Sequence, residues 1–362
     1  MDTNPTIAVR SGEELDVEAV DAVLKTAVPD LVGRPTVKQY ASGASNLTYA
    51  LDYPDRRLVM RRPPFGTKPK SGHDMYREYR VMTALKPMFS AVPETFYYTD
   101  DTDIIGAEFY VMERVEGHLI HEKIPKNWTD DYGWDEGKSR KLCTSFFDKL
   151  IELHQVDYKA IGLEDFGRPV GYVERQILGW NKRYEKALTP DVDAFEDVRD
   201  WLDANRPKVD QENDMRAAIL HGDFRIDNLI LDVNDPTKIN ALLDWEISAL
   251  GDPLMDLGNT LAYWIEANDP APMHALSRQP SAAPGMLSRK EILAYYAEKT
   301  GADVSNFHFY YVYGIFRLAV ILQQIYYRYY HGQTKDERFK MYAPMVNILG
   351  GVARDRIKDG EI

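Results

Sequence analysis

Two short stretches concentrate the residue types that phosphoryl chemistry requires. The first is His221-Gly222-Asp223-Phe224-Arg225-Ile226-Asp227-Asn228, entered from apolar Ile219-Leu220 and left through Leu229-Ile230. The second is Asp244-Trp245-Glu246, which ends the apolar run Ala241-Leu242-Leu243 and begins 244 − 228 = 16 residues after Asn228. Moving a phosphoryl group to a hydroxyl takes a carboxylate near that hydroxyl, cations on the phosphates, and oxygen ligands for Mg2+. Mg2+ keeps phosphate and water in most of its octahedron, so few protein oxygens suffice. Asp223 fits the base, Arg225 can steady the transferred group, and Asn228 with Asp244 fit the metal. A tight turn at Asn234-Asp235-Pro236 predicts a hairpin that brings Asn228 and Asp244 close together. Lone Asp or Asn residues at strand ends are ordinarily turn formers. Five polar residues in this order around apolar strands exceed what a turn needs.

H-G-D-x-x-x-x-N followed by L-L-D-W resembles the catalytic segment of aminoglycoside phosphotransferases and choline-kinase-like enzymes; protein kinases carry a related H-R-D and D-F-G pair. The resemblance implies an α+β, bilobal, protein-kinase-like fold, with a small β-rich N-lobe (1–114) binding nucleotide and a larger, mainly helical C-lobe (115–362) carrying catalysis and substrate. It also implies ATP as donor, Mg2+ as cofactor, and a small-molecule hydroxyl as acceptor. By that resemblance Asp223 is the base, Arg225 replaces the usual Lys two residues on, and Asn228 and Asp244 hold the metal. The likeness runs from about residue 36 to about residue 350 and favours a subfamily with V-x-R-R-P-P, R-E-Y-R-V-M, H-G-D-F-R-x-D-N and L-D-W-E. Domains of that kind precede acyl-CoA dehydrogenase modules in some animal proteins, which implies a hydroxyacyl-CoA or hydroxy acid acceptor ahead of an aminoglycoside. These 362 residues are expected to be consumed by the kinase fold, with no such module.

The nucleotide end follows from the same resemblance. Arg61 ends a strand where this fold usually has Lys, and Glu78 on the next helix is its expected partner. Arg62 is the alternative, one residue on and facing the other way. The phosphate loop falls on Ser42, Gly43, Ser45 and Asn46, through backbone N–H groups. Phe109 to Gly117 stands at the hinge, where backbone groups near Glu113 and Val115 would meet adenine. Asp256 is expected to brace the catalytic loop, and Asp252 to cap the helix behind it. Acceptor-lining candidates are Arg175, Trp180, Tyr184, Tyr263, Trp264, Tyr310 and Tyr311, although each is an ordinary core or surface residue on its type alone. A regulator that binds nucleotide without turnover would fit the glycine-poor loop and Arg61. A protein kinase is disfavoured by Trp-Glu after Asp244 and by the lack of A-P-E.

Gly133-Trp-Asp-Glu-Gly137-Lys138-Ser139 imitates a Walker A loop but has three residues between its glycines, and no apolar strand precedes it. His154 and His221 lack metal-ligand spacing; the first is expected to close a helix and the second to hold the catalytic loop.

These groups need a sheet and helices to place them. Apolar spacing predicts helices at 14–28, 73–86, 138–155, 170–187, 193–204, 256–266, 288–299 and 304–330. Capping boxes are expected at Ser11/Glu14 and Ser288/Glu291. Strands are expected within 36–62 and at 94–98, 107–114, 217–220, 228–232 and 240–243, with a surface loop at 268–285. A cleft between lobes is a natural ligand site.

The charge is 44 − 57 = −13, which disfavours nucleic-acid binding. The single cysteine, Cys143, excludes an internal disulfide and a C-x-x-C site. Neither a signal peptide nor a bilayer span is recognisable, since the most apolar helix carries Arg317, Gln323 and Gln324. A cytoplasmic setting is the simplest expectation. The oligomeric state is not readable.

Overall fold

The computed structural model describes residues 5–41, 46–65, 74–208 and 217–362. In chain order its elements are β1 (Thr6–Ile7), α1 (Val17–Ala27), β2 (Thr36–Tyr40), β3 (Leu47–Asp52), β4 (Arg57–Arg62), α2 (Met75–Leu85), β5 (Thr95–Thr99), α3 (Thr102–Ile105) and β6 (Phe109–Glu113). There follow α4 (Trp128–Tyr132), α5 (Glu136–His154), α6 (Tyr172–Ala187), α7 (Glu196–Ala204), β7 (Ala218–Leu220), β8 (Leu229–Leu231), β9 (Ile239–Leu242) and β10 (Ala249–Gly251). The chain ends with α8 (Pro253–Ala262), α9 (Ala271–His274), α10 (Arg289–Thr300), α11 (Phe307–Tyr330) and α12 (Tyr342–Asp359). The fold is α+β and kinase-like, an antiparallel sheet followed by a mainly helical part.

Two compact units divide the chain. The first comprises Met1–Leu119, Ala160–Leu163 and Asn228–Ser248. Its six-stranded sheet runs β1-β2-β3-β4-β6-β5, antiparallel throughout. Alternating residues of β3, β4 and β6 (Tyr49, Leu51, Leu58, Met60, Phe109, Val111) meet Val20 and Leu24 of α1 in one core, as the period of two for a strand dictates. α1 is capped by Asp16, whose Oδ1 accepts the Ala19 N–H at 3.0 Å. The expected Ser11/Glu14 box does not form; Glu14 accepts the Gly12 N–H instead.

The hairpin β8–β9 forms as its turn predicts and belongs to this unit. Leu242 N–H donates to Ala91 O at 2.8 Å, and Trp245 packs edge-on against Phe89.

The second unit comprises Ile120–Lys159, Glu164–Asp227 and Ala249–Ile362. Its spine is α11, buried along most of its length by α6, α8 and α12. Ser288 and Glu291 cap α10 reciprocally. α8 starts at Pro253, directly after the Asp252 cap expected for it and ahead of the apolar spacing; Pro253 takes the first helical site, where a missing N–H costs nothing. α12 lies outside the expected set altogether, and α9 sits within the expected loop. The Walker-like segment is the start of α5, where Asp135 accepts the Lys138 N–H as a cap. Cys143 is buried, and burial pushes its thiol up to about 12. Among the described residues no helix is long and apolar enough to cross a membrane.

Candidate active site

In the first unit β4 delivers Arg61 to the face that meets α2. Arg61 Nη1 donates to Glu78 Oε2 at 2.7 Å, and Nη2 lies 3.6 Å from Asp244 Oδ1 and 4.0 Å from Glu246 Oε2. Arg62 points the other way, over the Phe65 ring, and donates to the carbonyls of Pro63 and Ile105. Strand alternation thus separates the two arginines, and Arg61 is the one paired with Glu78. Glu78 is fully buried, and burial pushes its carboxyl up while Arg61 and the Tyr110 hydroxyl oppose that push. Tyr110 O–H donates to Glu78 at 2.8 Å. Burial also works against charge on Arg61, but Tyr110, Glu78, Asp244 and Glu246 outweigh it and hold the guanidinium above its ordinary value.

Asn228 and Asp244 come to the same end of the hairpin. Leu229 pairs with Leu242, and Leu243 N–H donates to Asn228 O at 2.9 Å. Asp244 has a left-handed backbone, φ 70°, a conformation that costs most side chains but is tolerated by Asp. Its side chain is 39% exposed. Arg77 of α2 anchors the segment's far end by donating twice to Ser248 O. Two neighbouring hard oxygen donors, one an exposed carboxylate, suit Mg2+.

Ser42, Gly43 and Ser45 lie outside the described residues. Asn46 is described, and its side chain turns inward: Nδ2 donates to Glu78 and to Glu246, each at 3.3 Å. Glu113 ends β6, and its N–H is taken by Glu94 O at 2.7 Å. Val115 lies two residues further on, partly buried.

In the second unit β7 leads into the loop that carries Asp223. Asp256, buried at the start of α8, accepts the N–H of His221 through Oδ2 and that of Gly222 through Oδ1, both at 2.8 Å. Burial alone would raise its pKa. The hydrogen bond and charge of His154, with the His221 contacts, outweigh that and hold it below the ordinary value. His154 closes α5 and spans Asp256 and the Tyr296 hydroxyl. His221 Nδ1 accepts the Asp223 N–H at 3.3 Å. Phe224 packs on Phe146.

Arg225 Nη1 lies 3.3 Å from Asp223 Oδ1, and its Nε donates to Asp227 at 2.9 Å. Its guanidinium stands 4.9 Å over the Tyr263 ring. Burial opposes the Arg225 charge, but Asp223 and Asp227 overcome this and raise its pKa. Gln279, fully buried, accepts the Ile226 N–H and donates to Tyr263 O. No local pattern in the sequence marks Gln279, Tyr110 or the inward turn of Asn46.

A model of the phosphotransferase enzyme family matches residues 36–292, more than half of the chain. The chain belongs to this family. A solved structure described as a putative aminoglycoside phosphotransferase from Ralstonia eutropha is 31% identical, covers 94% of this chain and is itself covered to 99%, with a TM-score of 0.79. Choline kinase from Cryptosporidium parvum shares the fold at 13% identity and a TM-score of 0.64, with coverage of 95% and 97%. A GDP and kanamycin complex of an aminoglycoside phosphotransferase shares it at 16% and 0.58, with coverage of 93% and 98%. Acyl-CoA dehydrogenase family member 11 of Rattus norvegicus is 30% identical over 354 residues, 96% of this chain and 44% of the relative. The chain thus spans less than half the length of that relative.

Several of the acceptor-lining candidates are core residues instead. Tyr184 stacks on Phe195, Trp264 donates to Leu287 O, Tyr310 donates to Asp252, and Tyr311 lies beneath Arg289. Arg175 is tied to the carbonyls of Arg168 and Val170. Tyr263 and Trp180 remain beside the loop residues, through Arg225 and Arg317.

Proposed function

We propose that this phosphotransferase is an ATP-dependent kinase that moves the γ-phosphoryl group to a hydroxyl of a small molecule. The observation that carries the reading is the hairpin that sets Asn228 beside Asp244, in a chain whose preceding loop presents Asp223 between His221 and Arg225. Asp223 is assigned as the base. The acceptor oxygen attacks the γ-phosphorus, its proton passes to the Asp223 carboxylate, and the bond to the β–γ bridging oxygen breaks to release ADP. Arg225 is assigned to the transferred group, with Asp227 and Tyr263 fixing its plane.

Asn228 and Asp244 would hold Mg2+, which when bound neutralises charge on the phosphate oxygens. Arg61, oriented by Glu78, is assigned to the phosphates; Arg is permanently charged and bidentate, so it can replace Lys there. Ser42, Gly43 and Ser45 are assigned to the phosphate loop, and the backbone near Glu113 and Val115 to adenine. Asn46 is reassigned from that loop's backbone to a strut between Glu78 and Glu246. Residues 1–114 are taken as the nucleotide lobe and 115–362 as the catalytic and substrate lobe, with the metal hairpin built into the first unit. The single buried thiol suits a reducing cytoplasm. Dehydrogenase-family relatives favour a hydroxyacyl-CoA or hydroxy acid acceptor over an aminoglycoside.

The test is Mg2+-dependent thermal stabilisation by ATP in the wild type and in Asp244→Ala, because a ligand bound only by the native state raises stability. The expected result is a shift that Asp244→Ala loses. Absence of any shift with ATP or GTP overturns the reading.

A further inference from the structure

One buried charge in the helical unit has no part in the chemistry above. Arg317 sits midway along α11 among Ile315, Phe316 and Leu318, and is 6% exposed. The other well-buried arginines of this unit have carboxylate partners: Arg225 has Asp223 and Asp227, and Arg289 has Asp269 on both terminal nitrogens at 2.7 Å. Arg317 has none within ion-pair distance among the described residues. Its Nη2 donates to Gly222 O at 3.0 Å, and its guanidinium lies 5.2 Å over the Trp180 ring. Among the described residues no acceptor meets its Nε or Nη1.

Burying a charge without a counter-charge is costly, and proteins keep such groups chiefly where a ligand supplies the missing partner. The position specifies which ligand. Gly222 is the residue before Asp223, and Tyr263 lies within the electrostatic reach of Asp223, Arg225 and Arg317 together. Arg183 adds a third cation, its guanidinium 4.5 Å over the same Trp180 ring. Cations and aromatic faces therefore gather on the base's own unit. Such a wall repels a polyamine acceptor and attracts an oxyanion, for which the guanidinium fork is the matching shape.

We propose that Arg317 is a specificity residue that reads an oxyanion, a carboxylate or a phosphate monoester, on the molecule whose hydroxyl is phosphorylated, with Trp180 covering the adjoining apolar part. The inference rests on the kinase reading and narrows its acceptor to an anionic alcohol.

The test measures thermal stabilisation of the full chain, with Mg-ADP present, by two matched pairs: 3-hydroxyoctanoate against its methyl ester, and glycerol 3-phosphate against glycerol. The expected result is that an anionic member of one pair stabilises the protein and its neutral counterpart does not. Which pair responds tells carboxylate from phosphate. Arg317→Gln should weaken that binding at least tenfold, and Arg317→Lys should restore part of it, which loss of the Gly222 contact alone would not produce. The acid–ester contrast is read on the unmodified protein, so a misfolded variant cannot hide the answer. Equal binding of acid and ester, binding of neither pair, or unchanged affinity in Arg317→Gln overturns the proposal. Mg-ATP stabilisation run alongside separates the two readings: if it persists while the pairs fail, the acceptor inference falls and the kinase assignment stands.

Discussion

Arg61 Nη1 donates to Glu78 Oε2 at 2.7 Å, a single contact that fixes α2 against β4. Glu78 has no exposure, and Asn46 and Tyr110 donate to it as well. Removing one member of a buried pair leaves the other charge uncompensated, at about 3–5 kcal/mol. Glu78→Ala is therefore expected to lower the unfolding free energy read from urea melts by ~3 kcal/mol, since Asp244 and Glu246 still face Arg61. Arg61→Met should weaken ATP binding at least about tenfold, because it removes the cation assigned to the phosphates, whereas Arg61→Lys should retain most of that binding, since this fold usually carries Lys there. Unchanged nucleotide affinity in Arg61→Met would remove Arg61 from the phosphate site.

Asp256 is one of the carboxylates that contribute to the acid limit of stability. Its folded pKa lies below the ordinary carboxylate value, so it binds its proton less readily folded than unfolded. The stability it contributes is present above the unfolded value, near ~4, and is lost as pH falls through the folded one. Wild type should lose stability steeply below about pH 4. Asp256→Asn should lose less over that range, having started lower by ~2–4 kcal/mol, because one amide oxygen cannot accept both the His221 and Gly222 N–H groups. Urea melts at about pH 5 and about pH 3 measure both slopes across that window, and parallel slopes would refute the assignment.

The hairpin and the order of its polar residues were legible because both are local: a turn signal and two apolar runs determine which ends meet. The same locality exposed the Ser288/Glu291 cap and the Asp252-Pro253 helix start. Asn46, Tyr110, Gln279 and Arg317 were not legible in their roles, since each acts on a partner distant in sequence and its type alone fits a dozen bland uses. α12 escaped because its buried residues, Ala343, Val346, Leu349 and Ala353, are small or sparse and Gly350-Gly351 interrupt the pattern. Its helicity comes from packing on α11 rather than from propensity.

Asp244 combines a left-handed backbone with the proposed metal-binding role. At φ 70° a residue with Cβ carries a penalty that Gly does not. Asp244→Gly should therefore be more stable than Asp244→Ala by ~1 kcal/mol, while both lose the Mg2+-dependent ATP shift. The comparison reads strain and ligation separately. If the two variants melt alike, the left-handed backbone is not imposed by the native fold.

The approach of α8 to α11 depends on two glycines. A Cβ on Gly258 would stand 2.3 Å from Tyr310 O, and one on Gly314 would stand 2.3 Å from Gly258 O. Neither neighbour can rotate away, because both are backbone atoms. α8 is capped by Asp252, which accepts the Tyr310 hydroxyl, and carries Asp256, which accepts the His221 N–H in the Asp223 loop. Gly314→Ala should thus cost at least ~1–3 kcal/mol through overpacking and lower turnover as well, since pushing α8 outward moves the carboxylate that positions the residue before Asp223. Gly351→Ala is the opposite case: it lies inside α12 with nothing within 4 Å of the added methyl, so the better helix former should stabilise by ~0.5–1 kcal/mol and leave turnover alone. Melting temperatures and initial rates of the two variants, side by side, decide whether the glycines are spacers or incidental. A Gly314→Ala protein with native stability and rate would show that α8 and α11 can separate at no cost.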